Sequence, residues 1–162
     1  MSPHTVVHNT VVVERRYAAA PAKVFAAWAD VEQRRRWHFP GTGWVLAEMT
    51  QDFCVGGHER TRFGPKGAPN LMDEGRFLDI VPDQRIVSAG TMHMDGVRIS
   101  TTLCTVELAE DAAGHTLVKL TDQSAFFDGR EKPEERREGW GKIFERLHLF
   151  LSEHQGAKGA SP

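Results

Sequence analysis

Cysteine is almost absent: Cys54 and Cys104 are the only two, far apart and without CxxC spacing. That argues against a zinc ribbon or a dithiol redox pair and reads as two reduced packing residues, with their pairing left open. Excess charge is missing too. Twenty basic against 22 acidic residues leave a formal net charge of −2, no footprint for a nucleic-acid or anionic-membrane partner. No apolar run approaches the ~20 residues of a membrane span. The opening MSPHTVVHNT lacks a signal-peptide pattern, so a cytoplasmic location is expected. The histidines, at positions 4, 8, 38, 58, 93, 115, 148 and 154, lack metal-ligand spacing, and neither metal nor cofactor is expected. No serine or cysteine stands in a nucleophile motif, and Gly41-Thr-Gly43 is too short for a phosphate loop. Internal repeats are absent.

What is there is 162 residues, 40% hydrophobic and 26% charged, the make-up of one ordinary domain over residues 1–155 with a disordered tail at 156–162. Its organising stretch is the last long one, Pro133 to His154. Trp140, Ile143, Phe144, Leu147, Phe150 and Leu151 recur at helical spacing as one apolar stripe, with Arg136, Arg137, Lys142, Glu145 and Arg146 read as mostly elsewhere around the axis. Pro133, Glu134 and Glu135 suit a helix start. Gly139 and Gly141 flank Trp140, and close packing against another backbone is the expectation there, with a loose helix end over a cavity mouth as the alternative. Before this helix the pattern is a strand (Thr5–Tyr17), two short helices (Ala22–Ala29 and Val31–Trp37) and six strands: Trp44–Met49, Phe53–Phe63, Leu71–Val81, Arg85–Met94, Val97–Leu108 and His115–Phe127. Gly56-Gly57 marks a bulge or sharp bend, and Asp95-Gly96 a hairpin. Arg34-Arg35-Arg36 reads as a solvated helix face. Consecutive antiparallel strands followed by one long amphipathic helix predict an α+β sheet wrapped around that helix.

The ending Leu120-Thr-Asp-Gln-Ser-Ala-Phe-Phe-Asp-Gly129, then Arg137-Glu-Gly-Trp140, resembles the START-related SRPBCC superfamily. Within it, the similarity is to the branch named for the activator of a heat-shock ATPase, often labelled polyketide cyclase-like. Ala20-Pro21 with Val24-Phe25 and Trp28, Trp37, Asp52-Phe-Cys-Val-Gly-Gly57, Asp79-Ile-Val-Pro-Asp83 with Arg85-Ile-Val87, and Met94-Asp-Gly96 with Arg98-Ile-Ser100 extend it over about Val11 to Leu151. The resemblance implies a helix-grip fold of about seven curved antiparallel strands, with a cavity between sheet and helix. Such relatives often carry aromatics where Ser88 and Gly90 stand, which implies a roomier cavity here. It implies little about chemistry, because one fold hosts carriers, cyclases and partner-binding domains.

Strand alternation allows the cavity faces to be read from the residues. The inward sets are Glu59, Thr61 and Phe63; Ile86, Ser88, Gly90, Met92 and Met94; Ser100, Thr102, Cys104, Val106 and Leu108, against a competing phase with Ile99; and Val118, Leu120, Asp122, Ser124 and Phe126. An apolar surface with a few polar groups is the usual form of a small-molecule pocket. The expected ligand-binding residues are Trp28, Trp37, Phe39, Glu59, Thr61, Phe63, Ser88, Met92, Ser100, Asp122, Trp140 and Phe144. The partner expected is a small hydrophobic or amphipathic molecule, and a homodimer is left open. The rival readings are an enzyme of cyclase or hydratase type with Glu59 and Asp122 as acid and base, Arg98 near the rim, and a protein-interaction domain of ATPase-activator type.

Overall fold

A computed structural model describes the backbone of residues 4–159 and the side chains through residue 153. The chain runs β1 (Val6–Tyr17), α1 (Pro21–Ala29), α2 (Val31–Trp37), β2 (Trp44–Gln51), β3 (His58–Pro65), β4 (Leu71–Val81), β5 (Arg85–Met94), β6 (Val97–Glu110), β7 (Thr116–Phe127) and α3 (Pro133–Gly159). The tail set apart at 156–162 falls on positions whose side chains, and from 160 whose backbone, lie outside the described residues. Pro21 opens α1, where a missing N–H costs nothing. Asp30 caps α2, its Oδ1 accepting from the Glu32 N–H at 3.0 Å.

The strands form one antiparallel sheet in the order β1-β7-β6-β5-β4-β3-β2, so the first strand closes against the last. Three register shifts, at Ala47, Leu78 and Ile99, curl the sheet. The third resolves the two phases of β6. Ile99 is the extra residue between the pairs Met92–Ser100 and His93–Arg98, so Ile99 and Ser100 are both buried. Gly75 and Gly90 stand opposite each other on β4 and β5. A Cβ at Gly90 would lie 2.6 Å from the Glu74 carbonyl oxygen, so this glycine permits close strand approach rather than marking a lost ring.

The strand expected over Phe53–Phe63 begins at His58 instead. Residues 53–57 make a tight loop, closed by Gly57 N–H to Cys54 O at 2.8 Å and pinned to β4 by Gly56 N–H to Phe77 O at 2.7 Å. Gly56, at φ 86°, takes the left-handed conformation the bend needs.

The apolar stripe of α3 lies on the concave face. Phe144, Leu147, Phe150 and Leu151 are buried with Val11, Val13, Val118 and Leu120 of β1 and β7, and with Trp28 and Trp37 of the short helices. The N-terminal half of α3 reaches past this core and roofs a cavity. Gly139 and Gly141 sit in that half, and apart from the helix's own neighbouring backbone nothing lies within 4 Å of where a Cβ would stand on either. The close packing expected of them is absent. Gly139 lines the cavity instead.

Candidate ligand-binding site

Between sheet and α3 lies a cavity of about 420 Å³. Trp28, Phe63, Phe77, Met92, Leu120, Trp140 and Ile143 supply apolar wall, and Trp44 and Phe39 stand with them toward the loop end. Phe39 is covered from outside by the Arg146 guanidinium, 4.0 Å from its ring centroid. Two built ion pairs hold the polar part of the wall.

The first joins α2 to β3. Arg34 Nη2 donates to Glu59 Oε1 at 3.1 Å, Nη1 to Gln51 Oε1 at 2.7 Å and Nε to His38 Nδ1 at 2.8 Å. Gln51 in turn donates to the carbonyls of Trp28 and Ala29, closing the end of α1. His38 stacks on Trp37, and burial first and the Arg34 charge second hold its pKa well below the ordinary value, so it stays neutral and accepts. Arg34 is only 7% exposed, against the expectation of a solvated face. The reason is helical: Arg34 precedes the buried Trp37 by three residues and shares its face.

The second pair joins α3 to β7. Asp122, fully buried, accepts from Arg136 Nη1 at 3.0 Å, from the Trp140 indole at 2.7 Å and from the Ser124 hydroxyl. Arg136 also donates to Thr102, Ser100 and, twice, Glu131. Burial opposes its charge, but Glu131 and Asp122 outweigh that and raise its pKa. Arg136 therefore lies in the apolar stripe rather than off it, four residues before Trp140.

Asp73 is the third inward carboxylate of the sheet. It lies on the cavity wall from β4, opposite Met92 and Thr61. Among the described residues no hydrogen bond or ion pair engages it. Burial, then the Glu59 charge, push its pKa up to about 7, with Arg136 and Arg34 opposing and Asp122 adding to the rise.

Of the residues expected to bind, Trp28, Phe39, Glu59, Thr61, Phe63, Ser88, Met92, Asp122 and Trp140 line this one cavity. Trp37, Ser100 and Phe144 do not. Trp37 and Phe144 are buried in the core behind the wall, the Trp37 indole donating to the Ala27 carbonyl at 3.1 Å. Ser100 is covered by Arg136, which it accepts from at 2.9 Å. Arg98, expected near the rim, is exposed and not part of the lining; the arginine that pairs with Asp122 is Arg136. Sequence reasoning missed Arg34, Asp73 and Arg136. Helical spacing to Trp37 and Trp140 signalled the two arginines, and alternation with Leu71, Gly75 and Phe77 signalled Asp73. Cys54 and Cys104 are both free; burial pushes the Cys104 thiol's pKa up, which keeps it protonated on the cavity wall. Among the described residues no group of His, Cys, Asp and Glu is arranged to hold a metal ion, and no helix is long and apolar enough to cross a membrane.

A curved antiparallel sheet gripping a C-terminal helix, with an open cavity between them, defines a helix-grip, START-like binding domain. The chain belongs to the family described as activator of Hsp90 ATPase homolog 1-like protein, whose profile matches residues 18–152. It is similar in structure to a protein from Rhizobium loti, 40% identical, with a TM-score of 0.81 over 90% of this chain and 99% of that one. A protein from Rhizobium leguminosarum is 32% identical, with a TM-score of 0.83 over 93% and 99%. An AHSA1-like protein from Aeromonas hydrophila, at 21% identity and a TM-score of 0.70 over 91% and 94%, shares the fold. None of the curated proteins matches the chain. Fold and family support a domain that binds a ligand or a partner.

Proposed function

We propose that the protein binds a small amphipathic molecule between sheet and α3. The observation that carries this is the cavity itself: about 420 Å³ of space, walled by aromatic and aliphatic side chains, with two ion-paired clusters and the carboxylate of Asp73 among its few polar groups. That combination of apolar wall and few oriented polar groups is what small-molecule sites share. A domain whose interior served only as a core would close such space, because interiors pack densely.

The chemistry assigned to Glu59 and Asp122 as acid and base finds less support. Each is committed to an arginine, and Asp122 accepts from a serine and an indole as well. They shape the pocket and orient what enters it. We place the protein in the cytoplasm, a reading that the two free cysteines fit.

The test is uptake of an apolar fluorescent probe by the wild type and by Ser88→Trp. Ser88 lies on the cavity wall, so an indole there fills the space. Uptake by the wild type and its loss in a folded Ser88→Trp protein is the expected result. Equal uptake by both, or none by either, would remove the cavity as the binding site.

A further inference from the structure

We propose that the cavity selects amphipathic ligands carrying a basic nitrogen, a protonated amine above all, and that this nitrogen docks against Asp73. This rests on the ligand-binding reading and names the class of ligand.

Three observations lead there. The first is the state of the inward carboxylates. Glu59 has Arg34 at 3.1 Å; Asp122 and Glu131 share Arg136 at 3.0 and 2.7 Å. Asp73 alone of these has no partner among the described residues. Its Oδ1 would stand 3.2 Å from a Cβ at Gly90, so the glycine leaves the carboxylate's flank clear of side chain.

The second is the charge count. Glu59, Asp73, Asp122 and Glu131 make four carboxylates on the wall, against two guanidinium groups, Arg34 and Arg136. At the mouth, Glu135 and Glu138 outnumber Lys142, which Glu138 pairs at 3.1 Å. An anionic ligand would meet this excess of negative charge. A neutral apolar ligand would leave Asp73 facing carbon, which is costly for an ionised carboxylate. A cation supplies the missing partner, and its attraction is stronger in a partly buried pocket than in bulk water.

The third is the wall. Trp28, Trp44, Phe63 and Trp140 present rings to the same space, and aromatic faces attract cations.

The pH behaviour follows from the same surroundings. Sharing the cavity wall with Asp73 are Glu59 from β3, Arg34 from α2 and the neutral His38 that follows it, Cys104 from β6, Asp122 from β7, Glu131 from the loop before α3, and Arg136 with the mouth residues Glu135, Glu138 and Lys142 from α3. Asp73 titrates near neutrality, so a docked ammonium ionises it and releases a proton to solvent. Apart from this proton transfer from the carboxyl to water, no covalent bond forms or breaks.

The experiment is calorimetric titration of the full chain with three probes of one skeleton: naphthylmethylamine, naphthylmethanol and naphthoate. The amine is expected to bind roughly tenfold or more tightly than the alcohol at about pH 8, with naphthoate weakest. Its affinity should rise from about pH 6 to about pH 8, with proton release visible as a buffer-dependent heat. Asp73→Asn should erase the preference for amine over alcohol. If that variant fails to fold, the wild-type ranking and the pH trend decide alone. Alcohol bound as well as amine, or a preference that survives in Asp73→Asn, overturns the assignment while the ligand-binding reading stands. If none of the three binds, both fall.

Discussion

Asp73 is the residue at which charge and burial disagree most openly. Its carboxyl is held up to about 7, against 3.8 for a free aspartate, with burial as the largest cause. The folded state therefore keeps a proton that the unfolded chain gives up once the pH exceeds the free value. Stability falls with rising pH across the window from about 4 to about 7, at up to roughly 1.4 kcal/mol per unit, and the loss is complete above it. Asp73→Asn removes this dependence. Urea midpoints at about pH 5 and about pH 8 should show a smaller drop for the variant than for the wild type. Equal drops would mean that Asp73 is well solvated in the folded protein. The arginines act differently at the same scale. Arg34 and Arg136 each anchor a carboxylate that would otherwise be buried alone, the more costly arrangement.

Among the elements, α3 does two jobs with its two halves. From Phe144 onward it supplies core; before that it supplies Arg136, Gly139 and Trp140 to the cavity. The glycines weaken the second half of this work. Each costs about 1 kcal/mol relative to alanine in a helix interior, and nothing in the fold blocks a methyl group at either position. Gly139→Ala should therefore stabilise the protein by about 1 kcal/mol, read as a higher Tm. A roof made stiffer in this way should also exchange a bound probe more slowly in stopped-flow release. A lowered Tm would show that the position is closed by something the helix geometry does not reveal. The two short helices have a comparable division: Val24, Ala27 and Trp37 seal the core, while Trp28 and Arg34 reach the cavity.

The whole molecule is held at Phe144, where the layers meet. Its ring contacts Trp28 of α1 at 6.1 Å, Tyr17 of β1 at 6.4 Å and Trp140 of α3 at 6.2 Å, and its carbonyl accepts from the Tyr17 hydroxyl at 2.9 Å. Phe144→Ala should cost about 3–5 kcal/mol. Unchanged thermal stability in that variant would contradict the placement of the helix on the sheet. Much of this architecture was legible beforehand, because alternation along a strand and the 3.6-residue period of a helix are local properties. The stripe from Trp140 to Leu151, the inward set Val118 to Phe126 and the hairpin at Asp95-Gly96 needed no tertiary knowledge, and with the family resemblance they led to the helix-grip fold. What only the folded chain decided is which inward charges meet. Helical spacing puts Arg34 and Arg136 on the faces of Trp37 and Trp140, but no local pattern names a partner 25 or 14 residues away. The register shift at Ile99 and the close approach at Gly90 also depend on neighbouring strands. Sequence alone therefore determined the elements and their apolar faces. Closure of the sheet around α3 decided the pairing of Arg34 with Glu59 and Arg136 with Asp122, because a buried charge is tolerated only where a partner is brought to it, and so left Asp73 facing the cavity alone.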